Sequence, residues 1–334
     1  MSLTPEQALE QASLAGIHCL RIPTPFAVGR VNCYLIEDEP LTLVDTGPNS
    51  GKALDELESQ LAARGHSIDE IELLIVTHQH IDHLGLAEIV VQRSGAKVAA
   101  LGIARERLAN FDEDAEAEDR FAVELMLRNG IPEEVTVALR SVSRSFRGWG
   151  SHVEVTQPLE DGQALPFGNR ILQAIHRPGH SPSDTVFWDE ERRILIAADH
   201  LIAHISSNPL ISRPLDGSDT RPQALVTYIE SMRKTREMPA EIVLSGHGEP
   251  ITDHIALIDD RIAKHDRRKE KIYKLIEGQP RSGYEIAQAI WGNVAVTQAF
   301  LTLSEVIGHA DLLVNEGRVR EVADGEVIRY EATG

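Results

Sequence analysis

The chain lacks the means to build a disulfide framework: two cysteines, Cys19 and Cys33, occur in 334 residues, and each lies in an apolar stretch, as core thiols do. No run approaches the ~18 apolar residues that a membrane-spanning helix requires. The opening segment, Met1 to Gly16, has no basic stretch followed by an apolar one, so no secretion signal is read there and a cytoplasmic location is expected. Positive charge is also in short supply. The 33 Lys and Arg stand against 52 Asp and Glu, a formal net charge of −19, and a field of that sign opposes general binding to nucleic acid or anionic lipid.

What remains is the composition of a globular protein, 42% apolar and 25% charged, long enough for two domains or one large one. The charge is unevenly shared. Residues 256–334 hold 11 basic and 13 acidic side chains, a balance of −2, which leaves −17 for the first 255. In that first part, short runs rich in β-branched residues (Leu41 to Val44, Ile71 to Val76, Lys97 to Leu101, Arg170 to Ile175, Arg193 to Ala197, Glu241 to Leu244) alternate with helical patterns, which predicts an α/β domain over 1–255.

Residues 102–151 interrupt it with an amphipathic helical pattern carrying Leu108, Phe111, Phe121, Leu125, Met126 and Leu127. Fifty residues suit a cap over a neighbouring site better than a domain. Phe111, Phe121, Leu125, Met126, Leu127 and Ile131 are read as a hydrophobic seam against the core, which would line an apolar pocket if part of it faced that site. Six acids between Asp112 and Asp119 read as a solvated helix face, with an acidic recognition surface as the alternative. Beyond Pro250, Ile255, Ile258, Ile262, Ile272 and Ile276 predict a long helix. Ser282 and Glu285 form a capping box ahead of a second. A third is expected from about Thr297 to Asn315, and then a hairpin around Asp324-Gly325. Three helices and a hairpin outline a winged-helix-like domain over 256–334.

The chemistry concentrates in His78-Gln79-His80-Ile81-Asp82-His83, directly after the strand pattern ending at Thr77. Four metal-capable side chains thus sit at the C-terminal end of a strand, where α/β proteins place ligands. His180 in the turn Arg177 to Pro182, Asp199 after Ile194 to Ala198, and His247 after Ile242 to Gly246 recur in matching settings. Gly179, Gly246 and Gly248 beside them allow close backbone approach. His200 is the rival of Asp199 as a ligand; His176, His200 and His204 are otherwise expected to be structural.

Together with Val44-Asp45-Thr46-Gly47, these residues resemble the metallo-β-lactamase superfamily over most of residues 18–250. The resemblance implies an αββα sandwich with its ligands along one edge. It also implies two divalent metals, His78, His80 and His180 on the first, Asp82, His83 and His247 on the second, and Asp199 bridging, while Asp45 orients ligand histidines instead of binding metal. All-nitrogen and oxygen donors suit Zn(II), the expected metal, and also Mn(II) and Fe(II). His80 stands where a redox di-iron site would want another carboxylate.

A site of this kind suits hydrolysis by hydroxide held between the ions, with Asp82 as ligand and proton acceptor. The bridging Asp199 fits the hydroxyacylglutathione hydrolase branch better than a true β-lactamase, and the C-terminal outline looks like the lactamase-β-2-like subgroup. A carboxylic ester or thioester of a small acyl molecule is therefore the expected substrate, and the loop His204 to Ile211 is a candidate to touch it. A single-stranded RNA endonuclease and a lactonase are the alternatives. Against RNA, the predicted helix 297–315 contains no Lys or Arg; for it, Arg267, Arg268, Lys269, Lys271 and Lys274 form a basic stretch, read as a solvated face balanced by Asp266 and Glu270. A non-enzymatic reading makes the tail a dimerisation or partner-binding module, such as that of a homodimer, with the site a relic. The intact ligand set opposes it.

Overall fold

The computed structural model describes residues 3–215, 217–218 and 220–333. In chain order the first helix and strands are α1 (Pro5–Leu14), β1 (Ile17–Ile22), β2 (Val31–Ile36) and β3 (Thr42–Val44). Next come α2 (Gly51–Ala62), β4 (Leu73–Ile75), α3 (Ile81–Leu84), α4 (Ala87–Ser94) and β5 (Lys97–Leu101). The insert supplies α5 (Arg105–Ala109), α6 (Phe111–Arg128) and α7 (Glu133–Phe146) before β6 (Gln157–Leu159). β7 (Ala164–Pro166), β8 (Ile171–His176), β9 (Thr185–Asp189), β10 (Ile194–Ala198), α8 (Ala224–Arg236) and β11 (Ile242–Ser245) follow. The chain ends with α9 (His254–Ile276), β12 (Arg281–Ser282), α10 (Gly283–Trp291), α11 (Val294–Thr297), α12 (Ala299–Asn315), β13 (Val319–Asp324) and β14 (Val327–Ala332).

Strands β1 to β6 form one sheet in sequential order, and β11-β10-β9-β8-β7 form a second. Alternation along the strands explains how the two meet. Tyr34, Ile36, Val44, Ile75 and Ala99 of the first sheet interleave with Leu172, Ala174, Phe187, Ile196 and Leu244 of the second in one core. The opposite-pointing residues of the first sheet, among them Leu20, Cys33, Leu35, Leu43 and Val98, pack on Leu57 and Leu61 of α2 and Val90 of α4. Those of the second, Val186, Trp188, Leu195 and Val243, pack on Tyr228, Ile229 and Met232 of α8. The result is the expected αββα sandwich. Cys33 is buried in it, Cys19 partly so, and both thiols are free. Among the described residues no helix is long and apolar enough to cross a membrane.

The hydrophobic seam of the insert packs into a core, as expected, and that core is shared mainly with the C-terminal helices. Leu125, Met126 and Ile131 are buried in a core with Ile272, Ile276, Ile286, Leu303, Ile307 and Tyr330, and Phe121 packs against it. Phe111 packs on the core beneath the first sheet, while Leu127 is exposed. This part of the insert is thus a packing partner of the C-terminal helices. The acidic run is a solvated face only at Asp112 and Glu113, which are exposed; its other four acids are paired. Glu116 pairs with Arg140, Arg144 and Arg147, Asp119 with Arg147, and Asp114 and Glu118 with Arg107 and Arg213. It ties α6 to α7 and to the loop before α8.

In the C-terminal segment the capping box at Ser282 and Glu285 is present. The helix expected from Thr297 is broken at Gln298, whose backbone leaves the helical region (φ −127°, ψ 43°); Val294, Val296 and Thr297 are β-branched and weak helix formers. The hairpin turns one residue later than expected, on Gly325-Glu326, because Asp324 pairs with Val327 inside the ladder. β12 joins β14, completing a three-stranded sheet.

Candidate metal centre

The structure gathers all seven expected ligand residues at one edge of the sandwich, where strands of both sheets end. His78 and His80 lie in the loop after β4, and Asp82 and His83 on the single turn of α3. His180 comes from the turn between β8 and β9. Asp199 directly follows β10, whose pairing with β11 shifts register between Ile196 and Ala198; such a bulge re-aims the side chain beyond it. Ala198 adopts φ 43°, a left-handed conformation costly for a residue other than glycine. His247 follows β11 and bridges to Val31.

Two groups of three can be drawn, His78, His80 and His180, and Asp82, His83 and His247, each with its donor atoms within 4.8 Å. In the first, His80 Nδ1 is 3.0 Å from His78 Nε2 and 2.9 Å from His180 Nε2. In the second, His247 Nε2 is 3.3 Å from Asp82 Oδ2. The Asp199 carboxylate lies between them, Oδ1 3.4 Å from His83 Nε2 and Oδ2 3.5 Å from both His180 Nε2 and His247 Nε2. His200 turns away to meet Thr235 Oγ1 at 2.9 Å, and His176 meets the Pro182 carbonyl at 2.9 Å. His204 lies beside Gly248 in a neighbouring cleft.

Four of the five imidazoles, those of His78, His83, His180 and His247, are aimed by a partner on the far nitrogen. His83 Nδ1 donates to Asp45 Oδ2 at 2.7 Å, and the Thr77 hydroxyl donates to the same oxygen at 2.7 Å. With its proton so committed, Thr77 Oγ1 accepts from His78 Nδ1 at 3.0 Å. Asp45 therefore orders one histidine directly and another through Thr77, from a backbone at φ 58°. The carbonyl of Asn208 accepts from His180 Nδ1 at 3.2 Å, and that of Arg30 from His247 Nδ1 at 2.9 Å. Ser207 Oγ donates to the Asp199 carbonyl at 2.5 Å. The loop His204 to Ile211, expected at the substrate, thus contributes clamps on two ligand residues. Sequence reasoning named Asp45 but missed the other partners: a backbone carbonyl leaves no residue signature, although Thr77 stood at the strand end.

The donor set fits divalent cations. Both His83 Nε2 and Asp199 Oδ1 are buried without a hydrogen-bond partner, an arrangement that costs stability unless a cation completes it. All donors are nitrogen or oxygen. Gly246 leaves the space: a Cβ there would overlap Asp199 Oδ1 and lie 2.9 Å from His83 Cε1.

Electrostatics point the same way. Burial presses His83 down, but the Asp199 and Asp45 carboxylates outweigh it and hold the ring well above its ordinary value. Burial is similarly overcome at His247, which Asp199 and Asp82 push up to about 9. Conversely, Asp199 is held well below the carboxylate range, its burial outweighed by His83 and His247. Burial, with the neighbouring imidazoles, keeps His78 far below its usual value and brings His80 down to about 3. Without a cation the carboxylates thus retain protons on His83 and His247, and those are the protons a metal displaces.

A sandwich of this topology with a His/Asp cluster at the ends of its strands defines the class of metal-dependent hydrolases. The metallo-beta-lactamase superfamily profile matches residues 27–247, and the chain belongs to that superfamily. It is 31% identical to a probable metallo-hydrolase of Bacillus subtilis, over 93% of this chain and 96% of that one. An atrochrysone carboxyl ACP thioesterase of a Cryptosporiopsis species is 22% identical over 96% of this chain and 80% of its own. The acyl-coenzyme A thioesterase of Bos taurus is 26% identical over 51% of this chain and 58% of its own. In structure the chain is similar to a metallo-beta-lactamase family protein from Thermus thermophilus, with a TM-score of 0.77 and 26% identity, covering 95% of this chain and 98% of that one.

Proposed function

We propose that the protein hydrolyses the thioester or carboxylic ester of a small acyl molecule, with two divalent metals, zinc by expectation. The observation that carries this reading is the Asp199 carboxylate lying between two complete three-residue groups. His78, His80 and His180 would hold one ion, Asp82, His83 and His247 the other, and Asp199 would be shared. When bound, the ions would supply Lewis acidity toward a carbonyl oxygen and lower the pKa of water toward neutrality. The chain's own part is orientation and proton handling. Asp45, Thr77 and the carbonyls of Arg30 and Asn208 fix the rings. His83 and His247 overcome the effect of burial to keep Asp82 below its usual range, so that it is ionised and able to take a proton from the attacking water.

The choice of a carbonyl ester over RNA rests on charge. Two of the five cations in the basic stretch of α9 are engaged, Lys269 with Glu316 and Asp266 and Arg268 over Trp291, which leaves Arg267, Lys271 and Lys274 exposed. That leaves few cations for the ~6 to 10 phosphates a typical nucleic-acid interface neutralises. Relatives named as thioesterases favour the same chemistry. A cleft of about 620 Å³ beside His247, lined by Val28, Arg30, Asn32 and His204 and by Arg21 paired with Glu249, offers room for an acyl molecule. The bridging carboxylate favours the hydroxyacylglutathione hydrolase branch, and the C-terminal helices and hairpin favour the lactamase-β-2-like subgroup. Catalytic residues 1–255, a winged-helix-like domain 256–334 and a cytoplasmic location belong to the same proposal.

Metal content per chain, followed by turnover of acyl thioesters, aryl esters, lactones, phosphodiesters and RNA, tests it. Thioester or ester turnover is expected, and Asp82→Ala is expected to abolish it without unfolding the chain. A metal-loaded protein that cleaves phosphodiesters or RNA but no carbonyl ester refutes it.

A further inference from the structure

A second cluster of metal-capable side chains lies outside the site described above, where α9 packs on α12. His265 of α9 and Glu305 and His309 of α12 bring one donor atom each within 4.8 Å of one another. Glu305 and His309 are four residues apart, so both side chains stand on one face of α12. His265 is 6% exposed and His309 fully buried, whereas the Glu305 side chain is 19% exposed, which leaves a path from solvent.

The hydrogen bonding of this cluster is incomplete. His309 Nδ1 meets the Glu305 carbonyl at 2.7 Å. A carbonyl only accepts, so the proton of His309 sits on Nδ1 and its Nε2 is a bare lone pair. That lone pair faces His265 Nδ1 at 3.3 Å. His265 Nε2, the other nitrogen of the facing ring, is buried with no partner. A neutral His265 has one proton for two buried nitrogens. On Nδ1 it would leave Nε2 bare; on Nε2 it would leave two lone pairs facing each other. The Glu305 carboxylate accepts no hydrogen bond among the described residues; the Arg268 guanidinium is 3.6 Å away.

A cation between His265 Nδ1 and His309 Nε2 would take both facing lone pairs at once and leave the one proton of His265 on Nε2. Two nitrogens bound to one tetrahedral zinc at ~2.0–2.1 Å stand about 3.3 to 3.4 Å apart, the separation the two imidazoles already have. The Glu305 carbonyl holds His309 in the tautomer whose Nε2 is free to ligate, as the far-nitrogen partners do in the first site. We propose that His265, Glu305 and His309 form a separate site for a divalent cation of the zinc type, with water at the exposed side as fourth ligand. It would join α9 to α12 and act structurally, since a metal bound only by the folded pair of helices stabilises that pair.

Zinc content of the full-length chain, loaded and then desalted, tests the site. Glu305→Gln and His265→Gln are each expected to hold one zinc fewer per chain than the wild type while keeping the metal of the His78 cluster. Equal zinc content in the wild type and both variants overturns the proposal. Should the variants misfold, zinc-loaded crystals of the wild type decide: an anomalous-scattering peak among His265, Glu305 and His309 is expected, and no peak there overturns it.

Discussion

Asp45 and His83 share a hydrogen bond of 2.7 Å, Nδ1 to Oδ2, with both side chains buried. Because the same oxygen receives the Thr77 hydroxyl and Thr77 in turn receives His78, one carboxylate governs a ring in each three-residue group. Asp45→Asn removes the charge and lets an amide N–H compete for the position of an acceptor. Zinc affinity, read by competition with a chelator, is expected to fall about 10- to 100-fold, with the circular dichroism of the fold retained. Unchanged affinity would show that the rings need no such partner.

Gly246 makes a sharper test, since it has no side chain to ligate a metal. An alanine Cβ there collides with Asp199 Oδ1, and backbone hydrogen bonds on both sides prevent retreat: Gly246 N–H donates to the Ala198 carbonyl at 2.7 Å and Asn32 N–H to the Gly246 carbonyl at 2.6 Å. Gly246→Ala is expected to displace the carboxylate and lower bound metal by about one equivalent per chain, with turnover falling at least about tenfold. Full metal occupancy with unaltered turnover would mean that Asp199 can move without consequence.

Metal loading is expected to be strongly pH-dependent. His247, raised to about 9, and His83, held well above its ordinary value by the Asp199 and Asp45 carboxylates, carry protons at pH 7 in the metal-free chain and must lose them to ligate. Affinity should therefore rise as pH increases from 6 toward 9. Calorimetry in buffers of different ionisation enthalpy is expected to show release of roughly two protons per chain at pH 7. Heat independent of buffer would contradict the protonated state of these two rings.

Much of this site is legible in the sequence because its ligands sit at strand ends, and the strands announce themselves as short apolar runs. His78 to His83 follow one such run, Asp199 and His247 two others. What is not legible is direction. Asp199 and His200 are adjacent and both metal-capable, and only the bulge in β10 and the left-handed Ala198 decide that the carboxylate enters the site while the imidazole turns to Thr235. Long-range pairing is equally hidden. The helical periodicity of Phe121, Leu125 and Met126 predicts a buried face, but nothing local says that the face is covered by residues 272 to 330. Nor does a run of six acids reveal arginines at 107, 140, 144, 147 and 213.

That acid–arginine network yields the last prediction. Hydrogen bonds from Arg147, Arg140 and Arg144 hold the Glu116 carboxyl at about 2, against roughly 4.3 in an unfolded chain. A carboxylate depressed by folding stabilises the fold above its unfolded value, and that contribution is lost as pH falls from about 4.3 toward 2. The wild type is thus expected to lose thermal stability between pH 5 and 3 more steeply than Glu116→Gln, which is less stable at pH 7 but has no proton to take up at this position. Because these groups are near solvent, the difference should shrink in 0.5 M salt, about three times the ionic strength at which charges are screened beyond ~8 Å. Parallel melting curves against pH for the two proteins would mean that the arginines cluster around Glu116 without stabilising the helices they join.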